Sequence, residues 1–274
     1  MTLNCNGKLV DISSPKVMGI LNVTPDSFFD GGAYNSDSHC LKQVEKMLSE
    51  GATFIDIGAY SSKPNATTVS TNEELERIIP VIKVLVESFP DIILSVDTFR
   101  AEVAKHAIAA GAAIINDISA GHLDVNMLKT IADYNVPYIM MHMRGTPQTM
   151  QQQTEYDDLL KDILLYFSER IQAARALGVN DIILDPGFGF AKTTAQNFEL
   201  LNKLDDFKIT DLPLLAGISR KSMIYKTLNT TPKYALNGTT ALHMIALERG
   251  AHILRAHDVK EAVEAITLHH QLHT

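Results

Sequence analysis

The sequence predicts a single α/β domain, a (β/α)8 barrel of the TIM type. Short apolar runs alternate with segments of helical periodicity about eight times along the chain. The runs are almost continuously apolar, which is typical of parallel strands covered on both faces. The 274 residues approach the roughly 250 residues of such barrels. No composition break or low-complexity segment marks a linker, so we expect one domain over residues 1–274.

Each expected strand is an apolar run that ends at a polar residue or a glycine. The eight runs are residues 16–21, 53–57, 91–96, 113–115, 137–141, 182–184, 212–216 and 252–254. Amphipathic segments follow them, and several of these segments stop at glycines. We expect these helices to begin at short polar capping residues. The capping candidates are Thr71 or Asn72, Asp124, Thr193 or Thr194, and Asp258.

Composition excludes several classes of function. The 24 basic and 32 acidic residues give a net charge of −8, which argues against a general surface for nucleic acid or for an anionic membrane. The N-terminal residues lack a signal-peptide pattern, and no apolar run approaches the roughly 20 residues that span a bilayer. Cys5 and Cys40 lack metal-ligand spacing and suit a reducing compartment. We therefore expect a soluble cytoplasmic protein.

Polar side chains follow most of the expected strands at the point where each strand ends. They are Asn22, Asp97, Asn116, His142, Asp185, Arg255 and His257. Any one of them could be a turn former or a helix cap, and Asp97 with Thr98 could cap the helix expected near Arg100. Parallel strands of a barrel bring their carboxyl ends to one rim, however. The set as a whole therefore predicts a pocket there.

The residue types at this rim indicate the chemistry of the ligand. Carboxylates and a carboxamide suit a ligand rich in N–H donors. Lys221, Arg255 and His257 suit phosphate groups. The amide oxygen of Asn22 could bind Mg²⁺ while phosphate completes the coordination shell. We expect a donor-rich heteroaromatic group attached to a phosphate.

Two further motifs have ordinary explanations. The segment GISRKS at 217–222 resembles a phosphate-binding turn, but it lacks the spacing of a P-loop, and taken alone it is a common solvated turn. His269, His270 and His273 fall at the end of the last helix, where cationic side chains favour the helix dipole. No carboxylate or cysteine accompanies them in the sequence, so we do not expect a metal site there.

Nine sequence motifs in order resemble the dihydropteroate synthases, which are pterin-binding enzymes of the folate pathway. They are MGILNVTPDSFFDGG, GATFIDIG, SVDTFRAEVA, IINDISAG, MHMRGTP, IILDPGFGFAKT, GISRKS, LNGTTAL and RAHDVKEA. The resemblance runs from about Lys16 to the last helix. It implies a (β/α)8 barrel, a homodimer, and a reaction that joins 6-hydroxymethyl-7,8-dihydropterin diphosphate to p-aminobenzoate with Mg²⁺ and releases pyrophosphate. Sulfonamides mimic p-aminobenzoate in this family.

The resemblance also implies roles for individual residues. Asp97, Asn116 and Asp185 match pterin-binding positions, Lys221 and Arg255 contact the pterin ring, and Ile118, Met140 and Gly217 line its slot. Asn22, Arg255 and His257 match positions for the diphosphate, with Asn22 also at the Mg²⁺. Phe190, Lys221, Ser222, Ser62, Lys63 and Pro64 match positions around p-aminobenzoate, and Asp30 helps to close the site. The catalytic set implied is Asp30, Asp97, Lys221, Arg255 and His257.

The implied mechanism is substitution at the exocyclic methylene carbon of the pterin, with diphosphate leaving first. Water would capture the resulting cation, so the loops 23–36 and 59–71 are expected to close over it. The second loop departs from the family pattern Gly-Glu-Ser-Thr-Arg-Pro. Tyr60 replaces the acid, Ser62 the threonine and Lys63 the arginine. Lys63 keeps the charge without the bidentate fork, so we expect a competent loop that binds or closes differently.

Two alternatives stay open on the sequence alone. A methyltetrahydrofolate:corrinoid methyltransferase would share the pterin-binding acids but handle no diphosphate. A non-catalytic pterin-binding paralogue would explain the altered second loop. Release of pyrophosphate that depends on p-aminobenzoate separates both from a synthase.

Overall fold

The structure is a computed structural model that describes residues 1–23, 33–58 and 69–273, with the backbone alone for 33–38. Four expected site residues lie outside the described residues: Asp30, Ser62, Lys63 and Pro64. Tyr60 and most of the two expected closing loops lie outside them as well.

Eight parallel strands form the centre of the fold. They are β3 (Lys16–Asn22), β4 (Phe54–Gly58), β5 (Leu94–Asp97), β6 (Ile114–Asp117), β7 (Tyr138–Met141), β8 (Ile182–Asp185), β9 (Leu215–Ala216) and β10 (Ile253–Ala256). Sequential neighbours pair from β3 to β8, and β10 pairs with both β3 and β9. A parallel bridge between Leu184 and Leu214 joins β8 to the start of β9. The sheet therefore closes, and the predicted (β/α)8 barrel is confirmed.

Helices surround this barrel. They are α1 (Ala33–Ser49), α2 (Thr71–Ser88), α3 (Ala101–Ala110), α4 (Met127–Tyr134), α5 (Leu159–Ala176), α6 (Thr194–Asn202), α7 (Ser222–Thr227), α8 (Leu236–Glu248) and α9 (Val259–Leu272). A 3₁₀ helix at Leu204–Thr210 leads into β9, and α7 and α8 both lie between β9 and β10. Within the described ranges, no helix combines the length and the apolar character needed to cross a bilayer.

Alternation along the strands separates two cores. Side chains such as Phe54, Ile139 and Ile183 point into the barrel, whereas Ile55, Tyr138 and others pack against the helices. Successive side chains of a strand point to opposite faces. On these strands, an apolar side chain near the bottom points into the barrel. The next side chain that points inward is therefore two residues further on, at the top of the barrel. This period is what positions the polar residues of the site.

An N-terminal hairpin, which the sequence analysis did not predict, covers the bottom of the barrel. Its strands β1 (Thr2–Cys5) and β2 (Lys8–Asp11) pair in antiparallel fashion. Asn6 and Gly7 both have positive φ angles, of 52° and 84°, as a two-residue type I′ turn requires. Four side chains of this segment join the lower interior core of the barrel: Leu3, Cys5, Val10 and Ile12.

The helix starts agree only in part with the expected caps. Thr193 caps α6 as predicted, and it forms a capping box with Gln196. Ser70, rather than Thr71 or Asn72, caps α2 with the same device. Asp124 lies three residues before α4 begins, and its carboxylate accepts the backbone N–H groups of Ala101 and Asn126. Asp258 precedes α9 without a side-chain cap, because its carboxylate is engaged elsewhere.

Candidate functional site

Arg255 on β10 lies at the centre of the upper barrel interior. Its Nε donates to Oδ2 of Asp56 at 2.6 Å, and its Nη2 donates to Oδ2 of Asp97 at 3.1 Å. The expected alternative role of Asp97 as a helix cap is therefore not seen, since Thr98 accepts the N–H of Arg100 instead. Arg255 links β10 to β4 and β5 across the barrel.

Asp56 is a member of this group that the sequence analysis did not assign. It is fully buried, and its Oδ2 also accepts a hydrogen bond of 3.0 Å from the side-chain amide of Asn116 on β6. Its other oxygen, Oδ1, is buried without a hydrogen-bond partner. A charged residue inside an otherwise apolar strand was the available signal, because such a group needs a partner when it is buried.

Asp185 ends β8 and begins a tight turn. Its Oδ1 accepts the N–H of Gly187 at 2.8 Å. Gly187 has a φ of 72°, and a Cβ there would collide with the backbone carbonyl oxygen of His142, so only glycine fits. Gly217 lies between Asp185 and Lys221, because a Cβ on it would be 3.6 Å from Oδ2 of the first and 3.9 Å from Nζ of the second.

Lys221, the residue just before α7, contacts the turn that follows β8. Its Nζ donates to the carbonyl oxygen of Phe188 and lies 4.7 Å from the centre of the Phe190 ring, within cation–π range. Burial lowers the pKa of Lys221 to about 8, although the Asp185 carboxylate acts to raise it. Lys221 therefore stands between the acid group and an aromatic wall.

Burial also raises the pKa values of two of the acids. It raises the pKa of Asp97 to about 7 even though the Arg255 guanidinium acts to lower it. Burial likewise raises the pKa of Asp185, against the influence of the Lys221 ammonium and the Gly187 N–H. Each carboxyl group is thus held in a place where a bound cation or N–H donor would favour its ionised form.

We call Asp56, Asp97, Asn116, Asp185, Lys221 and Arg255 the strand-end cluster. Fully ionised, it carries three carboxylates against two cations, a net charge of −1. Such a set favours a ligand that donates several hydrogen bonds and carries or develops positive charge. This matches the predicted donor-rich ligand.

His142, which the sequence placed at the same rim, has a different role. It is buried, and its Nδ1 lies 2.9 Å from Nζ of Lys192. Lys192 also donates to the carbonyl oxygens of Gly187 and Phe190, each at 3.0 Å. Burial lowers the pKa of both His142 and Lys192 well below the usual ranges. The contacts of this pair hold the turn after β8 in place, and they were not predicted from the sequence.

The turn after β9 positions His257, one of the residues expected to bind phosphate. The Ser219 hydroxyl lies 3.0 Å from Nδ1 of His257 and accepts its backbone N–H at 3.2 Å. Arg220 pairs with both oxygens of Asp258 at 2.8 and 2.7 Å, which is why Asp258 does not cap α9. Ser222 begins the short helix α7. The motif GISRKS is thus an anchored turn and not a solvated one.

Two expected lining residues have different surroundings. Ile118 packs with Met141 and Met143 in a small apolar group beside Phe190. Met140, in contrast, belongs to the core between barrel and helices. Met141 pairs in register with Asp185, so it shares the inner face of the barrel. The structure therefore does not bring Met140 to the strand-end cluster, and Met141 occupies the place that was expected for it.

Asn22, which was expected to bind Mg²⁺, lies at the top of the barrel. It is exposed at the end of β3 and pairs in register with Gly58. A Cβ on Gly58 would lie 3.5 Å from that of Asp97, so Asn22 ends its strand two strands away from Asp97. An exposed amide oxygen is of the kind that Mg²⁺ uses together with water and phosphate. The side chain of Asn22 therefore has the donor chemistry of a Mg²⁺ ligand at the rim of the barrel.

Known proteins resemble this chain over most of its length. The family model described as pterin binding enzyme matches residues 18–257. The dihydropteroate synthase of Escherichia coli is 45% identical over 97% of this chain and 94% of its own length. A Yersinia pestis dihydropteroate synthase structure in complex with a sulfonamide drug has a TM-score of 0.93 at 45% identity, covering 100% of this chain and 99% of that one.

A Xanthomonas albilineans dihydropteroate synthase with 4-aminobenzoic acid also has a TM-score of 0.93, at 40% identity, and covers 100% of this chain and 98% of that one. 4-Aminobenzoic acid is an aryl amine, and the Yersinia complex holds a drug of the sulfonamide class. The described strand order, the acids at the strand ends and the family match are mutually consistent. The chain belongs to the pterin-binding enzyme family, as a transferase of its dihydropteroate synthase group.

Proposed function

We propose that this enzyme condenses 6-hydroxymethyl-7,8-dihydropterin diphosphate with p-aminobenzoate to give 7,8-dihydropteroate and pyrophosphate, as a step of folate biosynthesis. The observation that carries the proposal is the buried strand-end cluster, in which three acids and an amide surround two cations. The two structural relatives described above contain 4-aminobenzoic acid or a sulfonamide drug, which supports an aryl-amine site in this chain.

The pterin ring is the substrate part that suits the acids. A 2-amino-4-oxo pterin presents adjacent N–H groups along one edge, and a carboxylate such as Asp185 can accept two of them in parallel. Asn116 can both donate and accept. Arg255 is planar and can pack on an aromatic ring while Asp56 and Asp97 hold its guanidinium in place. These side chains orient the ring, which places the methylene carbon for reaction.

In the reaction, the bond between the methylene carbon and the diphosphate oxygen breaks, and the electron pair leaves with pyrophosphate. The amine nitrogen of p-aminobenzoate then forms the new bond to this carbon and loses one proton. Asn22, Arg255 and His257 are proposed to bind the diphosphate, and Mg²⁺ held at Asn22 would supply further charge for the leaving group. The acids favour positive charge on the pterin before the amine attacks.

The second substrate is proposed to bind between the turn after β8 and the start of α7. Phe190 would form an apolar wall, and Lys221 and Ser222 would contribute polar contacts. Ser62, Lys63 and Pro64 complete this set in the proposal, with Asp30 helping to exclude water. We propose that Lys63 takes the role of the family's arginine. Unchanged p-aminobenzoate kinetics in a Lys63→Ala variant would contradict that role.

We also propose a cytoplasmic homodimer that is inhibited by sulfonamides. Large apolar side chains that are exposed on the outer helices support a face for a second copy; they are Ile245, Leu268 and Leu272. Sedimentation or light scattering measures the dimer, and a purely monomeric enzyme at micromolar concentration would contradict it.

A coupled assay of pyrophosphate release tests the proposed reaction directly. Release should require the pterin diphosphate, p-aminobenzoate and Mg²⁺ together, and a chelator should abolish it. Pterin binding by calorimetry without any release would instead indicate a non-catalytic pterin-binding protein. Methyl transfer from methyltetrahydrofolate to a corrinoid would indicate the methyltransferase alternative.

A further inference from the structure

We propose that Glu248, His269 and His273 form a second metal site, specific for a divalent transition ion such as Zn²⁺. The sequence shows no carboxylate beside the C-terminal histidines, and the fold supplies one. Glu248 is the last residue of α8, and the histidines lie at the end of α9. Within the described part of the chain, it is the one group in which three or more His, Cys, Asp or Glu side chains converge.

The distances between the ligand atoms suit one ion. Oε1 of Glu248 lies 3.6 Å from Nε2 of His269 and 3.0 Å from Nε2 of His273. All three ligand atoms lie within 4.8 Å of one another. A tetrahedral ion with bonds of about 2.0–2.1 Å separates its ligands by roughly 3.3 Å. Small side-chain rotations, chiefly of the exposed Glu248 and His273, therefore suffice to complete three coordination positions, and water would complete the fourth.

The helical spacing explains why the two histidines converge. Residues four apart lie on one face of a helix, one turn from each other. The ring centres of His269 and His273 are 4.5 Å apart, so both rings project from the same side of α9. Helices α8 and α9 pack against each other, which brings Glu248 to that side from a different element.

The ligand types select the ion. Two imidazole nitrogens and one carboxylate oxygen are a donor set typical of Zn²⁺, Ni²⁺ or Cu²⁺. Mg²⁺ and Ca²⁺ prefer oxygen ligands alone. The proposed site therefore differs in metal preference from the Mg²⁺ position proposed at Asn22.

The proposed metal site also lies far from the strand-end cluster. The helices of a (β/α)8 barrel run antiparallel to its strands, so the C-terminal ends of α8 and α9 lie at the bottom of the barrel. The strand-end cluster lies at the top. Bound metal would join the ends of the last two helices, and we expect it to raise the temperature of unfolding, since an ion that binds only the folded state stabilises it.

The test uses full-length protein without an added histidine tag, first treated with a chelator and then titrated with Zn²⁺ in a calorimeter. We expect one ion per chain and a rise in the unfolding temperature. His269→Ala and His273→Ala should each weaken binding by about tenfold or more, and Glu248→Gln should weaken it as well, because each removes one ligand. Excess Mg²⁺ should not compete.

His106→Ala is the matched control. His106 lies 3.4 Å from Glu102 at the same helical spacing on α3, but this pair has a single histidine, so the variant should bind Zn²⁺ as the parent does. Equal Zn²⁺ affinity in the parent and in all three ligand variants would overturn the proposal. All four variants should retain pyrophosphate release with Mg²⁺, so failure of the proposed reaction would be recognised separately.

Discussion

Asp185 illustrates how a buried carboxylate can serve recognition instead of proton transfer. Burial raises its pKa, and Lys221 and the N–H of Gly187 oppose that rise. A pterin that donates two N–H groups would oppose it further. The ionised carboxylate is therefore most stable when the ligand is bound, and this stabilisation favours binding of the substrate here.

Asp185→Asn should weaken binding of the pterin diphosphate by roughly ten- to a hundred-fold, because a charge-assisted hydrogen bond contributes about 1.5–3 kcal/mol. The fold should survive, since the amide oxygen can still accept the N–H of Gly187. Calorimetric titration measures the affinity. Asp91→Asn, an exposed acid near the bottom of the barrel, is the control. Parent-like affinity in Asp185→Asn would refute the pterin assignment.

Lys221 should give the enzyme an alkaline limit. Its pKa is lowered to about 8 by burial, so the ammonium is lost as pH rises through that value, and kcat/KM should fall above about pH 8. Lys221→Arg should be slower but should lack this limit, because a guanidinium keeps its charge. A pH profile of kcat/KM, which reports on the free enzyme, measures both. An unchanged alkaline limit in the variant would contradict the assignment.

The same shift affects stability in a defined window. The folded Lys221 has the lower pKa, so between about pH 8 and the usual 10.5 the unfolded chain binds more protons than the folded chain. The contribution of this group to stability therefore rises with pH across that window. Below it both states are protonated, and the cost of burying the charge is constant.

At the residue scale, the sequence could place groups that end strands but not groups inside them. Asp97, Asn116, Asp185 and Arg255 follow from the apolar runs before them. Asp56 lies within its strand, so its partner could be known only from the neighbours in the barrel. Whether Met140 or Met141 faces inward depends on a register of one residue, and a one-residue shift exchanges the two faces.

At the element scale, the turn after β8 depends on a support that lies beneath it. Lys192 donates to the carbonyl oxygens of Gly187 and Phe190 and contacts His142. Three directional partners thus surround the side-chain nitrogen of Lys192. The glycines predicted the turn, and Thr193 predicted the start of α6 after it. It could not show the support, because Lys192 resembles an ordinary polar residue before a helix.

Lys192→Met should destabilise the enzyme by about 2–4 kcal/mol, because two buried carbonyl groups lose their donor. The KM for p-aminobenzoate should rise, since Phe190 would lose its fixed position, while pterin diphosphate affinity should change less. Denaturant unfolding and steady-state kinetics measure these effects. Lys203→Met, an exposed lysine at the end of α6, should stay within about 0.5 kcal/mol. Parent-like stability and KM in Lys192→Met would show that the turn supports itself.

At the scale of the whole molecule, the two ends of the barrel have different roles: the top carries the candidate site and the bottom is packed with apolar side chains. Polar residues gather at the top, where parallel strands end, and apolar residues fill the bottom under the N-terminal hairpin. The number of strand–helix units and the location of the site were predictable from periodicity and strand direction. The hairpin was not predicted, although Asn6 and Gly7 between alternating apolar residues are its signal, because β1 and β2 have four residues each.

Ile12→Ala tests this division. Ile12 is 0% exposed, whereas Leu9 of the same hairpin is 72% exposed. Removal of a buried isoleucine side chain leaves a cavity and should cost about 2–5 kcal/mol of unfolding free energy. Leu9→Ala should stay within about 0.5 kcal/mol. Below its unfolding transition, Ile12→Ala should keep the parent's kcat/KM, because the hairpin lies at the opposite end from the strand-end cluster. A large loss of kcat/KM in the folded variant would mean that the bottom of the barrel also positions the site.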